Sequence, residues 1–333
     1  MEKRQTLFIV WKVYQRRVNA FVNSLNINPV YVHYEWEEKS RLHKIVSYFF
    51  KVYQTLHLLA TTKPGFFYIQ APPTFLLYTV HLYCKLAGAK FAVDAHNSMI
   101  GESLWSRMPF VQRILRQSAV VIVHNEVMAE LARAQGLPYT VLMDRPPQVE
   151  PAQYPYPQQI MGERARPKVV VPCSFDIDEP LDEMQKATLL LPEVDFYITW
   201  YSEKLPAEYL QGFGKNTIFT GFLAQDDFDA LLAHADAVLV LTTRDGTQPS
   251  GATEALAFQR PLVVSDFKII RDMFPKGAVY ISNDAAGIAS GISLALNQRE
   301  SLMVDMAQFK KEKLRLWDRQ FDALNKLIPE GSS

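Results

Sequence analysis

The chain has 333 residues, of which 48% are hydrophobic and 21% charged, and its formal net charge is zero. This length is about twice that of a common single domain, so a two-domain globular protein is expected and a disordered or fibrous one is excluded. The two cysteines exclude a disulfide framework, and no apolar run reaches the roughly 18 residues of a membrane span, so we predict a cytoplasmic protein.

Short apolar runs rich in Val, Ile and Phe recur along the first half, which is typical of buried parallel strands. They are Leu7–Trp11, Val30–Tyr34, Phe66–Ile69, Phe91–Val93, Val120–Val123 and Tyr139–Leu142. Segments of helix length lie between them, at Ser40–Ala60, Thr74–Leu86 and Glu126–Gln135. This alternation predicts a doubly wound α/β sheet with right-handed crossovers.

Two of these helical stretches, Lys44–Leu59 and Phe75–Cys84, carry broad aromatic faces at helical spacing. Such faces are usually part of a core, so we expect both to be buried. The charges of Lys44, Lys51 and Lys85 keep a peripheral membrane role open.

The alternation of strands and helices then stops. Asp144–Pro167 holds six prolines and few apolar residues at regular spacing, which is typical of a linker. Strands are predicted again at Lys168–Pro172, Asp195–Trp200, Thr217–Thr220, Ala237–Leu241, Pro261–Ser265 and Ala278–Ile281. Helices are predicted at Pro180–Leu190, Gln225–His234, Ala252–Phe258 and Ala285–Leu296, and one or two long amphipathic helices at Ser301–Leu327.

The resulting architecture is two Rossmann-like domains facing a cleft that binds ligand at the carboxyl ends of the strands. We predict an N-terminal Rossmann-like acceptor domain at 1–145, a Pro-rich linker at 146–167, a C-terminal Rossmann-like ligand domain at 168–300, and closing helices at 301–333.

The zero net charge conceals a division of charge between the two halves. Residues 1–145 contain 17 Lys and Arg against 9 Asp and Glu, a net charge of +8, whereas the remainder contains 18 against 26, a net charge of −8. The first half is therefore expected to face something anionic. No nucleic-acid motif occurs, so we predict no nucleic-acid partner; interleaved apolar residues favour an anionic membrane surface or a phosphate-bearing acceptor.

Neither GxGxxG after a first strand nor GxxxxGK[ST] occurs, which argues against ordinary NAD-dependent and P-loop chemistry. The richest constellation is Gly246-Thr-Gln-Pro-Ser-Gly-Ala-Thr-Glu-Ala-Leu-Ala257, which opens a helix near Ala252. Free N–H groups of Ser250, Gly251 and Ala252 at the positive end of the helix dipole would bind a pyrophosphate, and Glu254 in the first turn would accept hydrogen bonds from a ribose diol. The alternative is a Pro–Ser N-cap with a dipole-favoured Glu.

This segment, followed by Pro261-Leu-Val-Val264, resembles the donor-binding helix of GT-B glycosyltransferases in the large family of sucrose and glycogen synthases. The family commonly carries two glutamates separated by seven residues. Glu254 matches the second, which holds the nucleotide ribose, while Gly246 with Asp245 beside it stands at the position of the first. The resemblance implies a donor-binding set of Asp245, Gly246, Ser250, Gly251, Ala252, Thr253 and Glu254.

The first half adds Tyr68-Ile-Gln-Ala-Pro-Pro73 and Leu86-Ala-Gly-Ala-Lys-Phe-Ala-Val-Asp-Ala-His-Asn97. These motifs are similar to those of dolichol-linked chitobiose β-mannosyltransferases and their bacterial relatives. That resemblance implies a nucleotide diphosphate sugar donor, and a lipid diphosphate acceptor as in the eukaryotic enzymes. It implies no further cofactor.

Asp94 and His96 follow a predicted strand and differ by two positions, so both would lie on one side of a continued strand. The pair suits a carboxylate that orients an imidazole, or a general base for an acceptor hydroxyl, with Glu102 as a second base candidate. The alternative is capping of the next helix together with Asn97 and Ser98.

Lys12, Arg16 and Arg17 follow the first strand and are candidates, with Asn97, for binding an acceptor or donor phosphate. The alternative is a solvated basic helix face. His124-Asn125-Glu126 is predicted to cap a helix.

Asp176-Ile-Asp178 matches the Asp-x-Asp metal pattern of the other main glycosyltransferase fold, but it precedes a predicted helix, so N-capping is favoured. The seven histidines and two cysteines lack zinc-site spacing, and no metal is predicted.

The sequence therefore predicts a metal-independent glycosyltransferase of polysaccharide biosynthesis. It would move a sugar from a nucleotide diphosphate donor to a hydroxyl of a lipid-linked or envelope glycan, at the inner face of a membrane. The alternatives are a GT-B sugar-nucleotide epimerase and a GT-B binding protein without turnover.

Overall fold

The computed structural model describes residues 6–25, 27–163, 165–199, 201, 205–246 and 249–328. The chain forms two compact units, one of Met1–Arg145 with Arg315–Ser333 and the other of Pro146–Leu314. Each unit holds a six-stranded sheet in which all described neighbours run parallel. The predicted α/β class with two Rossmann-like sheets is confirmed.

In the first unit the sheet order is β2-β1-β3-β4-β5-β6. Its strands are β1 Leu7–Val10, β2 Asn28–Tyr31, β3 Phe66–Ala71, β4 Lys90–Ala95, β5 Val120–Val123 and β6 Tyr139–Val141. Its helices are α1 Arg16–Leu25, α2 Arg41–Thr62, α3 Thr74–Ala87, α4 Asn97–Ile100, α5 Val111–Leu115 and α6 Glu126–Ala134, with a 3-10 turn at Glu35–Glu38.

In the second unit the order is β12-β11-β10-β7-β8-β9. Its strands are β7 Lys168–Val171, β8 Asp195–Thr199, β9 Thr217–Gly221, β10 Ala237–Val240, β11 Leu262–Ser265 and β12 Ala278–Ile281. Its helices are α7 Gln158–Met161, α8 Leu181–Leu190, α9 Ala207–Gln211, α10 Gln225–Ala233, α11 Ser250–Ala257, α12 Lys268–Met273 and α13 Ala285–Asn297, with a 3-10 turn at Pro151–Gln153. Helix α14, Arg299–Asn325, begins in this unit and ends in the first.

The central strands are buried from end to end, as in β3, β5 and β10, because helices cover both faces of each sheet. Among the described residues, no helix combines the length and the apolar character needed to cross a bilayer.

Helix α1 was not predicted, although Val18, Phe21 and Val22 lie at helical spacing and are buried against β1 and β3. Its two asparagines and the basic pair at its start obscured that period. Strand β4 runs two residues further than predicted, through Ala95, so Asp94 lies within the strand rather than after it.

Residues 146–167, predicted to be a linker, pack against the second unit. The Tyr154 hydroxyl donates to Asp229 at 3.1 Å, and its ring meets Phe258 edge-on with centroids 5.5 Å apart. Met161 is buried in the core beneath β7 and β8. The prolines therefore shape a surface segment rather than a free tether.

Residues 301–333, predicted to close the structure, contribute the long helix α14. Its last turns complete the core of the first unit, because Trp317, Phe321 and Leu324 are buried there. Phe321 meets Phe21 edge-on at 6.1 Å, and the Arg145 guanidinium lies 4.7 Å from the centre of the Trp317 ring.

Replacing this anchor should destabilise the first unit. We expect Trp317→Ala to lower the free energy of unfolding by about 3–5 kcal/mol, because it removes a large buried side chain and leaves a cavity. Urea unfolding followed by circular dichroism measures the change. Val304→Ala, at an exposed position of the same helix, is the control and should change stability by less than about 0.5 kcal/mol; equal losses would contradict the packing role.

Candidate functional site

A cavity of about 520 Å³ opens at the carboxyl edge of the sheet in the second unit. It lies where the chain leaves β7, β8, β9 and β10 and where α11 begins, the usual ligand position in a parallel sheet. Its polar lining comprises Ser174, Asp176, Asp178, Glu179, Thr199, Gln225, Thr242, Ser250 and Glu254. Among the described lining residues none is Lys or Arg, so attraction of an anion depends on backbone groups.

The amino terminus of α11 supplies such groups. The helix begins at Ser250, two residues earlier than predicted, and its N-cap Pro249 makes no side-chain capping bond. The positive end of the helix therefore faces the cavity without a capping side chain from its N-cap residue. A Cβ on Gly251 would lie 3.1 Å from both Pro172 Cβ and Val240 Cγ2, so a larger residue would require these side chains to shift, and glycine lets the helix start close to β7 and β10.

Three of the predicted donor residues line the cavity, namely Ser250, Gly251 and Glu254. Glu254 lies one turn into α11 rather than in its first turn, and it reaches the cavity because it follows Ser250 by four positions on the same helix face. Ala252 is buried in the core and Thr253 is half-buried beside it.

The remaining two predicted donor residues lie apart from the lining. Asp245 and Gly246 are exposed, and the Asp245 carboxylate accepts the Gly246 N–H at 2.8 Å. Gly246 adopts φ +84°, a left-handed conformation that glycine tolerates without strain. These two residues form a surface turn before α11.

The loop after β7 is fixed by its own carboxylates. Glu179 accepts the backbone N–H groups of Ser174 and Asp176 at 3.0 and 2.9 Å, and Asp178 accepts the Thr242 hydroxyl at 2.9 Å. The prediction that Asp176 and Asp178 cap α8 is wrong, because Pro180 is the N-cap and makes no side-chain capping bond. The carboxylates instead shape the cavity wall.

A second network holds the end of β10 against its neighbours. The Thr242 N–H donates to the Ser265 hydroxyl at 2.9 Å, which donates to Asn283 Oδ1 at 2.6 Å, and the Asn283 amide returns to the Thr242 carbonyl at 2.8 Å. These hydrogen bonds join the carboxyl ends of β10, β11 and β12, so Thr242 and its partner Asp178 keep fixed positions.

In the first unit, Asp94 lies at the centre of a buried polar cluster. Its side chain is 1% exposed and accepts Arg17 Nε–H at 2.9 and 3.2 Å and the Gln70 amide at 3.2 Å. Burial by itself would raise the pKa of Asp94, but the Arg17 charge outweighs it and holds that pKa well below its usual range. Asp94 is therefore a fixed anion, which corrects the prediction of a general base.

Arg17 joins α1 to β4 and to the segment that follows β6. Besides Asp94, it donates to Asp144 and to the Leu142 carbonyl, both at 2.7 Å. Burial alone would lower the pKa of Arg17, but the two carboxylates raise it. The prediction that Arg17 binds a ligand phosphate is corrected, since two protein carboxylates already balance its charge.

Two imidazoles flank Asp94. His96 is the N-cap of α4 without a side-chain capping bond, and His124 Nε2 lies 3.6 Å from Asp94 Oδ1. The two rings are 4.9 Å apart, and the Nε2 atom of each is buried without a hydrogen-bond partner among the described residues. Burial, reinforced by His124 and by positive charge on Lys12 and Arg17, outweighs the opposing effect of Asp94 and lowers the pKa of His96 to about 4. His96 is therefore neutral at physiological pH.

His124-Asn125-Glu126 was predicted to cap a helix, and Asn125 does so as the N-cap of α6, accepting the Met128 N–H at 2.9 Å. His124 itself takes no part in the cap and faces the cluster. Its position at the end of β5, next to β4 in the sheet, is the sequence signal that identifies it.

The other predicted residues of this unit are placed differently. Glu102 pairs with Arg107 at 3.1 Å with both side chains well exposed, so it lacks the enclosure of the Asp94 cluster. Asn97 is exposed at the start of α4. Lys12 is exposed after β1, and partial burial of its amine lowers its pKa. The Arg16 side chain lies outside the described part of the structure.

Asp94, His96 and His124 each offer a ligand atom, and these atoms lie within 4.8 Å of one another, as a metal site requires. The Asp94 oxygens, however, already accept from Arg17 and Gln70, and nearby cations depress protonation of His96. The positive charges of Arg17 and Lys12 oppose binding of a metal cation, so the cluster fits proton chemistry better than metal binding.

Removing the cation of the buried pair tests its structural role. We expect Arg17→Met to lower the free energy of unfolding by about 3–5 kcal/mol, because Asp94 is left as an uncompensated buried charge. Arg107→Met, which breaks the exposed pair with Glu102, is the control and should cost less than about 1 kcal/mol in the same urea titration. Comparable losses would contradict the structural assignment of Arg17.

The lowered pKa of His96 makes stability depend on pH. Between pH 6.5 and about 4 the unfolded chain binds a proton at His96 that the folded chain does not, so stability falls on acidification. We expect wild type to lose about 2 kcal/mol more than His96→Gln between pH 7 and pH 5. Unfolding free energies at both pH values measure this difference. Parallel losses in the two proteins would mean that His96 is not held neutral.

Comparisons with known proteins agree with this architecture. Residues 202–313 match the sequence family described as "Glycosyl transferases group 1". No curated protein matches the chain.

Among solved structures, sucrose-phosphate synthase from Thermosynechococcus elongatus superposes with a TM-score of 0.69 at 11% identity, covering 97% of this chain and 98% of that one. Anabaena Alr3699/HepE in complex with UDP and glucose gives 0.64 at 11% identity, covering 97% and 100%. The lipopolysaccharide outer core galactosyltransferase WaaB gives 0.61 at 14% identity, covering 97% and 99%. Identities this low show a shared fold, the GT-B fold, and the match of residues 202–313 to the group 1 family supports a glycosyltransferase.

Proposed function

We propose that this protein transfers a sugar from a nucleoside diphosphate sugar, bound in the second unit, to a hydroxyl of a lipid-linked or envelope-glycan acceptor. The observation that carries the proposal is the cavity at the carboxyl edge of the second sheet, into which the start of α11 and the Glu254 carboxylate both open. The complex of HepE with UDP and glucose supports a uridine nucleotide as the first donor to try.

The donor assignment rests on complementary chemistry within the cavity. The diphosphate would lie at Ser250 and Gly251, where backbone N–H groups and the helix dipole favour anions. Glu254 would accept hydrogen bonds from the ribose hydroxyls. Leu223 and Phe228 supply an apolar wall for the nucleobase.

The acceptor step is assigned to His96. The acceptor oxygen forms a bond to the anomeric carbon, the bond from that carbon to the diphosphate oxygen breaks, and the nucleoside diphosphate leaves with the electron pair. The hydroxyl proton passes to the neutral imidazole of His96, whose Nε2 has no described protein partner. Asp94 acts as a positioning residue, because its fixed charge lies against both imidazoles.

We propose that the reaction proceeds without a metal ion. In the cavity, Glu179 is committed to backbone N–H groups and Asp178 to Thr242, so the exposed terminus of α11 remains to stabilise the departing diphosphate. Activity in EDTA equal to that in Mg²⁺ or Mn²⁺ supports this part of the proposal, and a strict requirement for either ion overturns it.

A lipid-linked or envelope-glycan acceptor is favoured by two observations. The first half of the chain carries a net charge of +8, which suits a phosphate-bearing acceptor at an anionic membrane. WaaB, a lipopolysaccharide outer core galactosyltransferase, shares the fold over 97% of this chain.

A thermal-shift series with UDP, GDP, CDP and dTDP tests the donor site. We expect one nucleotide, present at about 100 times its Kd, to stabilise the wild type by about 2.7 kcal/mol, a shift of a few degrees in Tm. Glu254→Gln should weaken that nucleotide at least about tenfold, because the ribose loses its carboxylate partner.

Glu193→Gln, at an exposed position of the same unit, is the matched control and should bind as wild type does. No shift with any of the four nucleotides would overturn the donor assignment. The matching nucleotide sugar is then incubated with and without a polyprenyl diphosphate sugar. Acceptor-dependent release of nucleoside diphosphate supports transfer, whereas an altered sugar nucleotide formed without acceptor indicates an epimerase.

A further inference from the structure

The outward side of α2 carries a row of large apolar side chains. Its large exposed side chains fall at helical spacing over three turns: Leu42, Ile45, Val46, Phe49, Phe50 and Tyr53, here called the α2 outer face. Phe49 is 73% exposed, Tyr53 71% and Leu42 69%, so these side chains project fully from the first unit. A contiguous apolar patch of this kind marks an interaction surface.

The opposite side of the same helix is the more polar one. The residues of α2 buried against the unit are Ser47, Lys51, Thr55 and Leu59. Lys51 is 2% exposed and pairs with Glu37 at 2.7 Å, while Thr55 accepts the Trp11 indole N–H at 3.0 Å. Phe49, Phe50 and Tyr53 therefore point outward, which corrects the expectation for this part of Lys44–Leu59. Tyr48, Val52, Leu58 and Leu59 belong to the core or pack against it, as expected. On α3, likewise, Leu76, Leu77 and Val80 are buried as expected.

The α2 outer face is held in place by an aromatic group at its border. Trp36, in the 3-10 turn before α2, meets Phe50 edge-on at 5.8 Å, and Tyr34 meets Phe50 at 6.2 Å. The Tyr34 hydroxyl donates to Gln54 on α2 at 2.7 Å. Trp and Tyr at the rim of an apolar face are the side chains that membrane interfaces favour.

Cations gather at the amino-terminal end of the same face. Lys39, Arg41 and Lys44 are all exposed, and the half of the chain that contains them carries a net charge of +8. Glu35 and Glu38 of the adjacent 3-10 turn are exposed near them, but the half of the chain as a whole is cationic, and an anionic surface complements it.

We propose that the α2 outer face inserts into the headgroup region of an anionic lipid membrane, with Phe49, Tyr53 and Leu42 as apolar anchors and Lys39, Arg41 and Lys44 on lipid phosphates. The helix lies along the membrane plane, as interfacial amphipathic helices do. This inference deepens the membrane part of the proposed function and names the surface that carries it.

The position of α2 connects this surface to the acceptor chemistry. The chain enters α2 after leaving β2 at the carboxyl edge of the first sheet, the same edge at which β4 presents His96. Trp11, which follows β1 at that edge, stacks on Tyr48 of α2 with centroids 6.0 Å apart. A membrane bound by the α2 outer face would therefore offer lipid-linked hydroxyls to the edge that carries the base.

Vesicle flotation tests the assignment with the full chain. Wild type is expected to float with vesicles of phosphatidylcholine and phosphatidylglycerol in equal parts, and much less with phosphatidylcholine alone. Phe49→Ser/Tyr53→Ser should lower the partition coefficient on anionic vesicles at least about tenfold, since two apolar anchors are removed. Replacing Lys39, Arg41 and Lys44 by Gln should lower it roughly fivefold for each charge removed.

Leu294→Ser/Val304→Ser is the matched control, because it removes two exposed apolar side chains from the second unit and should float as wild type does. Absence of wild-type flotation, or equal loss in the control, overturns the proposal. So does light scattering that shows a dimer which Phe49→Ser/Tyr53→Ser converts to a monomer, since the face then binds a second copy. Nucleotide thermal shifts of the same variants should equal those of wild type, so failure of the donor assignment and failure of the membrane surface are separately visible.

Discussion

All strands of a parallel sheet have their carboxyl ends at the same edge, and the candidate sites of both units depend on that constraint. Strand interiors are buried on both faces by helices, so they hold mostly Val, Ile and Phe; Gln70 and Asp94 are buried polar residues near the carboxyl ends of β3 and β4. Polar residues that follow the strands consequently collect at the carboxyl edge. In the second unit this edge forms the cavity beside α11, and in the first unit it holds Asp94, His96 and His124.

Charge is balanced differently at the carboxyl edges of the two sheets. In the first unit a buried carboxylate is balanced by Arg17, and the same positive charge helps to keep His96 neutral. In the second unit the cavity has no cationic side chain among its described lining residues, and its positive element is the amino terminus of α11. In the proposed reaction both arrangements would place fixed charge around the ligand in advance, a form of electrostatic stabilisation that costs no reorganisation.

Helix α2 shows that a periodic apolar pattern does not determine whether the apolar face points to the core or to solvent. The period of Leu42, Phe49 and Tyr53 indicates an apolar stripe, and such a stripe usually faces the core. Here the inward side is satisfied by Lys51 with Glu37 and by Thr55 with Trp11, partners that come from other segments of the chain. Since those contacts are long-range, the sequence of α2 alone cannot reveal that its polar side is the buried one.

Much of the fold was determined by the sequence itself, because strand and helix periods are local properties. All twelve predicted strands are present, and Ser250, Gly251 and Glu254, predicted from the start of one helix, line one cavity. Tertiary structure decided what local pattern does not encode, namely the partners of charged groups. It made Arg17 the counterion of Asp94 rather than a ligand contact, placed His124 beside Asp94 while its neighbour Asn125 caps α6, and paired Asp178 with Thr242. Each of these depends on residues far apart in the chain meeting at a sheet edge, where the low dielectric makes the choice of partner decide protonation and role.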